Sequence, residues 1–141
     1  MDVFSYRKLG VYQKSRDYVK FVYGLLRKFP KEEQYALCDQ LRRTVVSVSS
    51  NLAEGSSRYS KKEFAHFVEI SYGSLMEVMS QLELSMDLAY ITQEELTAAE
   101  SKSEEIARML NSLRHSLLST PSTSSTLSTP STLSTSSTPK Q

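Results

Sequence analysis

Apolar residues recur along this chain at alternating spacings of three and four. In the stretch leading to Gly55, the residues Cys38, Leu41, Val45, Val48 and Leu52 are separated by 3, 4, 3 and 4 positions. At 100° per residue they all fall within about 60° of Val45, so they form one apolar stripe along a helix. A seam of that spacing is buried against partner helices rather than a sheet. Ser49 and Ala53 lie at its edge, where small side chains let a neighbouring backbone approach, and Gly55 stands where a left-handed cap is expected. Gln40, Arg43, Ser47, Ser50 and Glu54 make the opposite, polar face, with Arg42 at the margin of the stripe.

The same rhythm predicts three further helices. Val11, Ser15, Tyr18, Val22, Leu25 and Phe29 place a helix from Val11 to about Lys28, weakened somewhat by Gly24. Phe29-Pro30 breaks it, because the residue before proline is driven out of helical geometry. Pro30 then reads as the first residue of the second helix, with Glu32 and Glu33 at its positive end, and that helix runs to Glu54. Ser60-Lys-Lys-Glu63 is a capping box opening a third helix to Ala89, whose seam is Phe64, Val68, Ser71, Leu75, Val78, Leu82 and Ala89. Thr92-Gln-Glu-Glu95 is a second capping box, and Leu96, Ala99, Ser103, Ile106, Leu110, Leu113 and Leu117 form the fourth seam. Ahead of them, residues 1–10 form a short arm in which Phe4, Tyr6 and Leu9 alternate with Ser5 and Lys8. The fold expected for residues 11–118 is all-α, an antiparallel up-down four-helix bundle joined by short turns.

Composition adds a boundary after Leu118. Serine and threonine fill 16 of the last 23 positions, in repeats such as Leu118-Ser-Thr-Pro-Ser-Thr and Leu127-Ser-Thr-Pro-Ser-Thr, so residues 119–141 hold too little apolar area to form a core and are expected to be disordered. No apolar run approaches the roughly 20 residues of a membrane span, and the N-terminus lacks the features of a signal peptide. The expected location is the cytoplasm. Cys38, the single cysteine, sits on the apolar seam and reads as a buried thiol.

The 141 residues carry a net charge of +1, but unevenly: residues 1–60 hold 11 Lys/Arg against 6 Asp/Glu, and residues 61–141 hold 6 against 10. Either opposite charges meet across packed helices, or a basic patch awaits a polyanion. The candidate contacts for nucleic acid are Arg42, Arg43, Arg58, Lys61 and Lys62, since guanidinium and ammonium groups suit phosphate oxygens. The structural alternative is local pairing: Asp39 precedes Arg43 by four residues, and Arg42 is placed to meet an acidic residue of the third helix. Tyr12, Tyr59 and Tyr72 are positioned either to stack on bases or to pack. On the third helix Ile70, Leu84 and Leu88 lie about 160–200° from Val68, so they form a second apolar patch that reads as a subunit interface, against the alternative of scattered surface residues.

Catalytic chemistry finds little footing. Glu63-Phe-Ala-His66 has the Glu-x-x-His spacing of di-iron bundles, but the other histidine, His115, is preceded by Ser112 at that spacing, so the paired motif is missing. There is no glycine-rich phosphate loop and no partner for a nucleophilic cysteine. No catalytic residue, metal or cofactor is expected.

Several words of the sequence, Leu9-Gly-Val-Tyr-Gln-Lys14, Phe29-Pro30-Lys31-Glu32, Gln40-Leu-Arg-Arg43, Asn51-Leu-Ala-Glu-Gly55, Glu63-Phe64 and Gly73-Ser74, resemble the bacterial 23S ribosomal RNA intervening-sequence family over about residues 4–118. That family is in turn similar to the accessory variability determinants of diversity-generating retroelements. The resemblance implies an antiparallel four-helix bundle assembling as a barrel-shaped homopentamer. For the retroelement relatives it implies binding of RNA or DNA and of a reverse transcriptase through a basic surface. The functional expectation is therefore a non-enzymatic oligomeric bundle that binds structured nucleic acid, with a protein-interaction scaffold as the alternative.

Overall fold

A computed structural model of the chain describes residues 2–119, and the Ser/Thr/Pro repeats from Thr120 onward lie outside them. Four long helices account for the described residues: α1 (Gly10–Leu26), α2 (Leu37–Ser56), α3 (Lys61–Asp87) and α4 (Gln93–Leu118). Each helix packs on its neighbours in sequence, and α1 closes the ring against α4. The cross-helix partners show the directions. Val48 of α2 accepts from Ser71 of α3 at 2.6 Å, whereas Gly55, further along α2, meets Phe64, earlier in α3. Likewise Lys14 pairs with Glu105 while Tyr18 meets Ser103 and Lys28 meets Glu95, so α4 descends as α1 rises. The bundle is antiparallel and up-down.

All the seam positions of α2 are buried, and so are Val11, Tyr18, Val22 and Leu25 of α1, Val68, Leu75, Val78 and Leu82 of α3, and Ala99, Ile106 and Leu110 of α4. Each large aliphatic side chain so placed is worth about 1.5–3 kcal/mol of transfer free energy, which is how a spacing of three and four becomes a fold. Serines fill the seam where helices come closest. Ser71 bonds across to α2, and the Ser103 hydroxyl donates to the Tyr18 hydroxyl at 2.7 Å, which itself donates to Met79 Sδ at 3.7 Å.

Four local details differ from the sequence expectation. Gly55 is not a left-handed cap, since no glycine has positive φ; it is a buried residue of the last turn of α2. A Cβ there would stand 2.6 Å from Phe67 Cβ and 2.9 Å from Phe64 Cδ1, so glycine is required for α3 to approach. The second helix does not begin at Pro30: a 3-10 turn covers Lys31–Glu33, and α2 starts at Leu37. The cause is Gln34, whose amide donates to the carbonyls of Leu26 and Phe29 at 3.2 and 3.3 Å, satisfying orphan groups at the end of α1 and holding this segment out of the helix.

At the far end of α3 the helix stops at Asp87 rather than Ala89, because Ala89 adopts φ 65°. Tyr90 N–H donates to Ser85 O at 2.8 Å and Ala89 N–H to Met86 O at 2.9 Å, the paired bonds of a Schellman stop with alanine in the position usually held by glycine. The N-terminal arm holds a 3-10 turn, Ser5–Lys8, with Tyr6 edge-on to Tyr12 at 4.8 Å between centroids. Of the two capping boxes, Thr92/Glu95 is complete; at Ser60 only the serine half forms, Glu63 N–H donating to Ser60 Oγ at 3.0 Å.

Candidate functional site

The up-down topology sorts charge by end. The start of α1, the end of α2, the start of α3 and the end of α4 share one end of the bundle. There, residues 2–14, 50–69 and 105–119 carry eight Lys/Arg against five Asp/Glu; at the other end, residues 23–44 and 80–100 carry five against eight. The molecule therefore has a cationic end and an acidic end, although its net charge is only +1.

The five cations singled out by the sequence divide between these ends. Arg58, Lys61 and Lys62 cluster in and just after the α2–α3 turn, at the cationic end. Arg42 and Arg43 lie about 22 Å away along α2, by the helical rise. Arg42 is half-buried, and its Nη2 donates to Gln34 O at 2.6 Å with Nη1 3.4 Å from Gln34 Oε1, so it braces the loop that caps α1 rather than an acidic group of α3. Arg43 pairs with Asp39 at 2.6 Å, an exposed (i, i+4) contact of the kind worth a few tenths of a kcal/mol. Arg58 pairs with Glu54 at 2.8 Å, and its guanidinium lies over the Phe67 ring, 4.7 Å from the centroid. Lys61 and Lys62 are exposed, without an ion pair among the described residues.

Other cations join this end that the sequence pattern did not single out. Arg108 has no ion pair among the described residues; Arg114 is held by Glu69 at 2.6 Å, and Arg7 lies over Phe4 at 4.6 Å. They are 50 to 56 residues from Arg58 in sequence, and only the alternation of helix direction brings them to one end. Within the cluster, Arg58, Lys62, Glu63, His66 and Phe67 line a groove of about 470 Å³. Tyr59, beside it in the turn, is fully exposed, whereas Tyr12 and Tyr72 are packed against the core. Glu63 and His66 are themselves exposed on this groove, and among the described residues no three His, Cys, Asp or Glu side chains gather.

The perturbed titratable groups lie elsewhere. Burial pushes the Tyr18 hydroxyl up to about 12, against the opposing pull of its Ser103 hydrogen bond, and burial likewise raises the Cys38 thiol. The hydrogen bond from Tyr90 to Glu33 at 3.0 Å raises the Tyr90 hydroxyl. Lys28, bonded to Glu95 across the acidic end, holds that carboxyl below its ordinary value. These groups tie helices to one another and to loops.

On the outer face of α3, Ile70, Leu84 and Leu88 are 39, 53 and 54% exposed, so the second apolar patch does face outward. Next to it Gln81 is buried; its amide lies 3.3 Å from Glu77 Oε2, and its Oε1 has no hydrogen-bond partner among the described residues. No helix among the described residues is long and apolar enough to cross a membrane.

Fold and surface thus define an antiparallel four-helix bundle with a charged polarity along its axis. The chain belongs to the 23S rRNA-intervening sequence protein family, whose model matches residues 7–112. A 1.70 Å crystal structure of a protein of unknown function from the S23 ribosomal protein family of Bacteroides thetaiotaomicron VPI-5482 is similar, with TM-score 0.69 and 24% identity over 74% of this chain and 95% of that one. At that identity the likeness concerns the fold. Comparison with curated proteins gives no match.

Proposed function

We propose that this protein is a non-enzymatic, oligomeric four-helix bundle that binds structured RNA or DNA through its cationic end. The observation that carries the reading is the sorting of eight Lys/Arg against five Asp/Glu to one end, with Lys61 and Lys62 exposed there and without an ion pair among the described residues. Phosphate oxygens would satisfy those ammonium groups and exchange readily for the weak, exposed Glu54–Arg58 pair. Arg43, at the acidic end and paired with Asp39, lies outside this surface, while Arg42 serves the fold.

Assembly runs through the outer face of α3. Ile70, Leu84 and Leu88 would lose water there. Following the family resemblance, the assembly is a pentamer, which would repeat the cationic end five times on one surface. By the same resemblance to retroelement accessory proteins, a reverse transcriptase is the protein partner to test.

The test is binding of nuclease-treated protein to labelled structured RNAs and DNAs across a salt series. Affinity should fall steeply with salt, and the Arg58→Ala/Lys61→Ala/Lys62→Ala variant should bind more weakly with a log–log slope reduced by roughly 2–3. Lys31→Ala, at the acidic end, should leave both unchanged. Absence of binding at low salt would overturn the reading.

A further inference from the structure

The groove at the α2–α3 corner contains more than a phosphate site needs. Resting on the reading of the cationic end as a nucleic-acid surface, we infer that this corner receives an unpaired base, so that the preferred ligand carries single-stranded or loop nucleotides rather than continuous duplex.

Three features of the corner support this. Glu63 lines the groove with Arg58 and Lys62, yet its carboxylate has no hydrogen bond or ion pair among the described residues, because the capping box that would engage it is closed only from the serine side. A carboxylate amid cations repels phosphate, but it accepts hydrogen bonds from the exocyclic amine of cytosine or adenine, or from the N–H edge of guanine. In duplex RNA the amines of adenine and cytosine face a deep, narrow major groove that side chains do not reach, and the guanine N1–H is engaged in pairing, so the carboxylate meets these donors when the base is unpaired. The Arg58 guanidinium lies over the Phe67 ring, 4.7 Å from the centroid, and guanidinium groups are among those on which bases stack. Tyr59, fully exposed in the adjacent turn between Arg58 and Lys61, is an aromatic surface with no packing role, and base–aromatic stacking is sequence-tolerant.

The lysines would then hold the phosphates on either side while Arg58 and Tyr59 stack and Glu63 reads the edge. Uracil fits least well, since its single N3–H is flanked by two carbonyl oxygens that face the carboxylate unfavourably.

The experiment compares three RNAs of equal length and charge at one salt concentration: a hairpin with an adenine loop, the same stem with a uracil loop, and a continuous duplex. The adenine hairpin should bind about tenfold more tightly than the duplex, the range expected for one stacked base. Tyr59→Ala should remove most of that preference, and Glu63→Gln should narrow the gap between adenine and uracil loops while keeping the loop preference. Circular dichroism of both variants should match the parent, since both side chains are exposed. Equal binding of hairpin and duplex, or a loop preference that survives Tyr59→Ala, would overturn the inference while leaving the cationic-end reading intact. Failure of all three RNAs to bind would instead overturn that reading.

Discussion

Gly55 shows how much one side chain decides where two helices pass. Alanine is the better helix former by about 1 kcal/mol, yet a methyl group at this position would meet the Cβ of Phe67 at 2.6 Å, an atom fixed to the α3 backbone. Gly55→Ala should therefore destabilise the bundle by about 1–3 kcal/mol as α3 is pushed aside. Gly24→Ala, where nothing lies within 4 Å of the new methyl, should stabilise it by up to about 1 kcal/mol. Urea unfolding of the two variants checks both signs. The sequence made Gly55 visible as special but not why, since a cap glycine and a close-packing glycine look alike at the end of an apolar seam. Arg42 is a similar case. Its position at the margin of the stripe was legible, but its partner, the Gln34 backbone, exists only because the chain breaks out of helix after Pro30.

At the scale of elements, the four helices were legible because burial at every third and fourth position is a strong constraint, whereas their ends were set by single hydrogen bonds. The α3 stop is one such end. Ala89 is held at φ 65°, which strains a residue with a Cβ, so Ala89→Gly should raise stability by about 0.5–1 kcal/mol in thermal or urea unfolding. The α4 start is another. Glu95 accepts from Thr92 N–H at 2.9 Å and is also bonded by Lys28, whose ammonium is the main cause of its lowered pKa. A depressed folded-state value means the contribution is present above the ordinary value of 4.5 and lost as pH falls through the folded one. Glutamine at this position keeps the cap but loses the charge. Glu95→Gln should cost no more than about 1 kcal/mol near neutral pH, because the pair is partly exposed, and the difference from the parent should shrink as pH falls below 4.5.

For the whole molecule, the charge imbalance between the two halves of the sequence turns out to be a poor guide to the surface. Cationic residues 7, 8, 58, 61, 62, 108 and 114 come from both halves and meet at one end because the helices alternate in direction. The pattern of helices therefore held the information, but only once their directions were known. The outward apolar stripe on α3 was legible from its phase opposite Val68; the orphaned Gln81 beside it was not, because satisfaction of a side chain depends on neighbours no sequence pattern specifies.

The central claim, that nucleic acid docks at the cationic end, is tested most directly by a hydrogen-exchange footprint of the protein with and without a bound RNA hairpin. The account predicts slowed amide exchange in the α2–α3 turn and the first turn of α3, around Arg58, Tyr59, Lys61 and Lys62, with exchange around residues 30–43 unchanged. Protection confined to residues 30–43 or to the α3–α4 turn would contradict it.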